Sequence, residues 1–138
     1  MSATRNRATA AEADWDDLFK RARAVATNAY CPYSRYHVGA AALVDDGRII
    51  VGCNAENASY GLGLCAEVSV VCGLHTTGGG RLVAVAVVGG YDLDALPPGK
   101  PCGRCRQVLY EVGGPELVIN RDATLGDLLP EAFGPEDL

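Results

Sequence analysis

Apolar positions along this chain recur with two different periods, and the changes of period divide it into elements. From Trp15 through Leu18, Phe19, Ala22, Val25, Ala26 and Ala29 the steps are three and four residues, the spacing of one helix face. Asp14 stands where an N-cap belongs, so the pattern predicts a first helix from Asp14 to near Tyr30. Cys31-Pro32-Tyr33-Ser34-Arg35-Tyr36 reads as a loop, because proline biases the residue before it away from helix. His37 to Val44 and Arg48 to Cys53 are apolar runs on either side of Asp45-Asp46-Gly47, which predicts a hairpin. Asn54-Ala55-Glu56-Asn57 then puts three polar side chains into four positions, either a solvated loop or a ligand-facing edge, with composition favouring the loop. A second helix is expected from near Cys65 to Thr77, stopped by Gly78-Gly79-Gly80. Arg81 to Gly89 is an unbroken, valine-rich run, which predicts a central strand covered on both faces. A loop from Tyr91 to Lys100 leads to a third helix from about Gly103 to Val112, then a short strand from Glu116 to Asn120. Leu125, Leu128, Leu129 and Phe133 fit a short terminal helix that Pro130 interrupts or shifts. Helix, hairpin, helix, strand, helix, strand, helix is the order of an α/β fold with a mixed sheet between helices.

Composition narrows this to one small domain. Met1 to Ala13 has no large apolar side chain to anchor beyond Met1 itself and is expected to be a mobile arm, leaving residues 14–138 as a single domain. The chain has 138 residues, 49% of them apolar, and no run approaches the ~20 apolar residues that span a bilayer; no membrane partner is expected. A net charge of -5 and a pI near 4.9 disfavour a polyanion partner, since non-specific nucleic-acid binding depends on basic surfaces. No basic segment followed by an apolar run opens the chain, so no secretory leader and a cytoplasmic setting are expected. The six cysteines are accordingly read as reduced, as ligands or small core residues.

Three of those cysteines fall into a pattern with a carboxylate. Cys65-Ala66-Glu67 is followed by Pro101-Cys102-Gly103-Arg104-Cys105-Arg106-Gln107. A lone C-x-x-C could be a redox dithiol, and three cysteines could belong to a structural zinc site, but such sites close with four protein ligands. His37 and His75 lack ligand spacing to these cysteines, and Cys31, Cys53 and Cys72 sit in contexts typical of small buried thiols. Cys65 and Cys102 both stand at predicted helix N-termini, where the dipole and free N–H groups favour thiolate, the form zinc requires. Glu67 in the first turn could be only a dipole partner. Beside an open zinc site it becomes the acid and base that a hydrolytic reaction needs. Cysteine, glutamate two residues on, then proline and C-x-x-C is the known signature of zinc nucleobase deaminases.

The chain resembles the cytidine deaminase family in more than its cysteines. Ala29-Tyr30-Cys31-Pro32-Tyr33-Ser34, Val38-Gly39-Ala40-Ala41, Asn54-x-Glu56-Asn57, Ser59-Tyr60, Cys65-Ala66-Glu67 and Pro101 to Gln107 follow that family's motifs in its order. Leu128-Leu129-Pro130 and Phe133 are similar to its C-terminal part. The resemblance implies a three-layer α/β/α sandwich with a mixed sheet of about five strands. It implies a Zn2+ ion on Cys65, Cys102 and Cys105, activating water for attack on C4 of cytidine or 2′-deoxycytidine, with Glu67 moving the protons. Asn54 and Glu56 would bind ribose hydroxyls, Tyr36 and Ala66 would lie by the nucleoside, and a compact homotetramer would bring Tyr60 and Phe133 towards a neighbouring subunit's site. Another cytosine-like nucleoside as substrate and a non-catalytic zinc-stabilised module are the competing readings, and Glu67 beside an open metal position argues against the second. Two positions depart from the family's usual pattern: Tyr36 stands where phenylalanine is common, and Val68 where many three-cysteine relatives carry arginine. Compensation for the thiolate charge therefore has to come from elsewhere, with Arg104 the nearest candidate and Arg106 the next.

Overall fold

The computed structural model describes residues 7–138. Asp14 caps the first helix, α1 (Trp15–Ala26), its side chain accepting the Asp17 N–H. The helix stops at Ala26, short of Tyr30, because Thr27 turns its hydroxyl onto the Ala24 carbonyl and the next amides close tighter turns on Val25 and Ala26, the competition with helix bonding that such side chains offer. The hairpin forms as β1 (His37–Val44) and β2 (Ile49–Cys53). After it come α2 (Ala66–Thr76), β3 (Leu82–Gly90), α3 (Gly103–Gly113), β4 (Val118–Ile119), β5 (Ala123–Thr124) and α4 (Leu125–Leu128).

The strands make one mixed sheet in the order β2-β1-β3-β4-β5, antiparallel except for β3 against β4. The two faces of the pleat bury different cores, as alternation along a strand requires. Ala41 and Leu43 of β1, with Ala84, Ala86 and Val88 of β3, pack under Leu18, Ala22 and Ala26 of α1. Ala40, Ala42 and Val44, with Val85 and Val87, pack under Val70 and Leu74 of α2 and Leu109 and Val112 of α3. β3 is thus the central strand, covered on both faces. A bulge pairs Leu43 with Ala84 but Val44 with Leu82, so Leu82 and Val85 share a face although three residues apart. Two glycines let the helices close on the hairpin. A Cβ on Gly39 would collide with the Ala22 carbonyl of α1, and one on Gly52 would lie 2.7 Å from the Ala66 carbonyl of α2.

Differences from the expected elements have local causes. The strand expected over Glu116 to Asn120 shrinks to Val118–Ile119 because Asn120 and Arg121 both take positive φ, 50° and 74°, and turn the chain back as β5, which the apolar pattern did not reveal. The terminal helix ends before Pro130 and leaves Phe133 outside it. Of the stretch expected to be a mobile arm, residues 1–6 lie outside those described. The part that is described makes contacts: the Ala8 N–H donates to the Asp45 carbonyl at 2.8 Å, and Ala8 and Ala13 border the α1-side core.

Candidate active site

α2 and α3 lie on the same face of the sheet, and each begins at a cysteine in extended conformation. Cys65 is the N-cap of α2, Cys102 the N-cap of α3, and neither side chain caps its own helix. Their thiols point at each other instead, with Sγ atoms 3.8 Å apart. Cys105, in the first turn of α3 and fully buried, completes a cluster whose ligand atoms all lie within 4.8 Å of one another. A zinc–sulfur bond of ~2.3 Å in a tetrahedral site sets sulfurs roughly 3.8 Å apart, so this donor set fits zinc in spacing as well as chemistry. No fourth histidine, cysteine or carboxylate joins the cluster among the described residues. Cys31 is buried and faces His37, 3.3 Å from its Nδ1. Cys53 is half-buried, while Cys72, expected to be a small buried thiol, is exposed because its position on α2 faces away from the core.

Glu67, only 3% exposed, is the charged side chain buried here. Burial pushes its carboxyl above the ordinary carboxylate range, against hydrogen bonds from its own amide and the Cys105 thiol. Burial, followed by the charge of Glu67, pushes the Cys105 thiol up, and burial also raises Cys65 although Cys105 and Arg104 hydrogen-bond to it. Burial works against the Cys102 thiolate too, yet hydrogen bonds from the Cys105 amide and thiol draw it below the ordinary value. The two arginines next in sequence to these ligands have different tasks. Arg104 Nη2 donates to the Gly63 carbonyl at 2.8 Å and lies 3.6 Å from Cys65 Sγ. Arg106 is turned the other way, donating to the carbonyls of Pro101 and Leu128, each at 2.8 Å.

Cys65, Cys102 and Glu67 line a cleft of about 490 Å³, together with Tyr36, Asn54, Glu56, Tyr60, Ala66 and Lys100. Asn54-Ala55-Glu56 is extended and bonded on both sides, to Tyr30 on one and Leu64 on the other. It is an ordered edge rather than the solvated loop that composition favoured. Asn54 and Glu56, two apart, therefore share the face turned to the cleft. Asn54 Oδ1 accepts the Val38 N–H at 2.9 Å and Nδ2 donates to the Tyr36 carbonyl at 2.9 Å. The amides of Tyr33 and Ser34 both donate to Glu56 Oε1, at 3.0 and 3.1 Å; the Ser34 hydroxyl first, then these amides, hold this carboxyl below its ordinary range against its partial desolvation. Tyr36 packs edge-on against Tyr91, ring centroids 5.1 Å apart, and its hydroxyl fills the space where a side chain at Gly89 would stand. Phe133 is exposed and does not line the cleft of its own chain. Sequence reasoning missed Lys100, whose one available signal was its place two residues before Cys102, and the amides of Tyr33 and Ser34, which no side-chain pattern announces.

Three thiols converging at two helix N-termini, with a buried carboxyl beside them and a polar-edged cleft above, define a zinc-dependent hydrolase of small molecules. The chain matches the family described as "Cytidine and deoxycytidylate deaminase zinc-binding region" over residues 13–121, and it belongs to that family. It is 59% identical to a cytidine deaminase of Mycobacterium tuberculosis over 130 residues, 92% of this chain and 95% of that protein. It is 41% identical to a cytidine deaminase of Halalkalibacterium halodurans, covering 88% of this chain and 95% of that one. The crystal structure of cytidine deaminase from M. tuberculosis superposes with a TM-score of 0.82 at 59% identity, covering 89% of this chain and 99% of the other.

Proposed function

We propose that this chain hydrolyses cytidine and 2′-deoxycytidine to uridine and 2′-deoxyuridine with release of ammonia, in pyrimidine salvage. The observation that carries this is the buried carboxyl of Glu67 beside a three-thiol cluster at the floor of a nucleoside-sized cleft. Cys65, Cys102 and Cys105 would hold the zinc, which when bound activates water and polarises the reacting centre. Glu67 takes one proton from the attacking water and passes it to N3 of the pyrimidine, then takes the proton of the hydroxyl added at C4 and passes it to the departing amino group, leaving the C4 carbonyl and ammonia. A carboxyl raised by burial is suited to carrying a proton between these positions near neutral pH. Asn54 and Glu56 bind the sugar: both Glu56 amide contacts fall on Oε1, which leaves Oε2 to accept ribose hydroxyls, and Asn54 keeps a second N–H to donate. Tyr36 and Ala66 flank the base.

The proposed molecule is a cytoplasmic homotetramer. Tyr60 and Leu62 beside the cleft are 80% and 63% exposed, apolar surface that a neighbouring subunit would cover, and Phe133, 61% exposed, would approach a neighbour's site. Among the described residues no helix is long and apolar enough to cross a membrane.

Ammonia release from a panel of cytosine and adenine nucleosides tests the reading. Cytidine and 2′-deoxycytidine are expected to react well, cytidine 5′-monophosphate and free cytosine poorly, the first repelled by Glu56 and the second leaving the sugar-binding groups unpaired. Glu67→Gln should keep zinc and fold and lose at least ~10²-fold in turnover. Equal kcat/KM for cytidine and its monophosphate, with Lys100 then the natural phosphate partner, would remove Glu56 from its role. Full turnover in Glu67→Gln would remove the acid and base.

A further inference from the structure

Cys102 and Cys105 reach the cluster at the end of a long loop, and what fixes that end lies outside the cleft. β4 pairs with β3 only at Ala84 and Val85, which would leave the rest of that edge of β3 bare. Residues 97–99 take the place that β4 vacates. The Gly99 N–H donates to the Val87 carbonyl at 2.8 Å and the Gly89 N–H to the Pro97 carbonyl at 3.1 Å. One carboxamide joins the two segments. Asn120 follows β4 in left-handed conformation, its own N–H on the Val85 carbonyl at 2.9 Å. Its Oδ1 accepts the Val87 N–H at 2.8 Å, and its Nδ2 donates to the Gly99 carbonyl, also at 2.8 Å. Both ends of the side chain are thus spent, one on the central strand and one on the loop, three residues before Cys102.

We propose that Asn120 is a positioning residue for the metal site, locking residues 97–99 onto β3 and so fixing where Cys102 and Cys105 stand relative to Cys65 on α2. It touches no ligand and acts through Lys100 and the buried Pro101, whose carbonyl Arg106 holds from the other side. The position needs asparagine in particular. An acceptor must meet Val87, a donor must meet Gly99, and the backbone must take a positive φ, which asparagine tolerates better than most residues. This inference rests on Cys102 and Cys105 being zinc ligands.

Asn120→Asp isolates the contact to the loop, because it keeps the acceptor for Val87 and the tolerance of positive φ but sets an oxygen against the Gly99 carbonyl. Transfer of zinc from the loaded protein to a chromogenic chelator is the readout, with the thermal midpoint measured beside it. Ile119→Val, a packing change on the same strand, shows how much zinc loss follows from general weakening. Asn120→Asp is expected to surrender zinc about tenfold more readily than the parent, as supports of metal ligands typically do, and clearly beyond Ile119→Val at the same midpoint. Zinc retention within about twofold of the parent, or loss no greater than in Ile119→Val, overturns the proposal. If Asn120→Asp does not fold, Asn120→Gly takes the same φ without a charge and faces the same criteria. Failure of both to fold also overturns it, since the residue then serves the fold itself. A parent without zinc, or one whose zinc survives intact in Cys102→Ala, shows that the ligand assignment has failed and carries the inference down with it.

Discussion

Arg104 and Arg106 show what one residue's direction decides. Three thiolates leave a formal negative charge with a zinc ion, which opposes ionisation of a water there. Val68 offers nothing against it. Arg104 sets a guanidinium nitrogen 3.6 Å from Cys65 Sγ, while Arg106 spends its donors on two backbone carbonyls. Arg104→Gln is therefore expected to keep zinc but move the acid limb of the pH–rate profile upward, because the remaining charge makes hydroxide harder to form. Arg106→Gln should leave that limb in place and lower the thermal midpoint. A shift in the second variant and none in the first would reverse the roles. The cysteines and Glu67 were legible in the sequence because their chemistry is confined to two short segments. The sequence ranks Arg104 ahead of Arg106 only by nearness to the ligands; residues two apart on a helix point to nearly opposite sides, and the packing of α3 shows which side faces sulfur.

At the scale of elements, the hairpin is held from both faces by helices that come closer than a side chain would allow. A methyl at Gly39 would meet the Ala22 carbonyl and lie 2.9 Å from Ala26 Cβ; one at Gly52 would lie 2.8 Å from Ser69 Cβ as well as against Ala66. Both substitutions to alanine overpack and should cost roughly 1–3 kcal/mol of stability, measured by denaturant unfolding. Their effects on turnover should differ. Gly39→Ala displaces α1, which carries no residue of the cleft, so turnover of the folded protein should hold. Gly52→Ala pushes on the first turn of α2, where Ala66 and Glu67 sit, and turnover should fall; unchanged turnover there would mean that α2 adjusts without moving its N-terminus. The helices and the hairpin were readable because their apolar periods are long and distinct. β5 and the bulge were not. Asn120 and Arg121 turn the chain with positive φ at non-glycine residues, and an added residue at Val83 changes faces without changing composition.

On the scale of the whole molecule, the order of elements encloses the site between distant parts of the chain. Cys65 and Cys102 are 37 residues apart, with the central strand β3 between them in sequence, and the loop that carries Cys102 is seated on β3. In the folded arrangement the three thiols meet where α2 and α3 dock on the face of the sheet, with β3 already in place between the two ligand segments. This has a kinetic consequence. Contacts that form after the rate-limiting step slow unfolding and leave the folding rate nearly unchanged. Zinc is accordingly expected to act as a brake on unfolding: stopped-flow measurements in denaturant should show the unfolding rate falling with zinc while the refolding rate stays within a small factor of its value in chelator. Refolding accelerated in proportion to the gain in stability would place the closed cluster in the transition state instead. With zinc as a brake on unfolding, the metal centre outlasts brief excursions towards the unfolded chain, since opening it requires α2 and α3 to part on the face of the sheet.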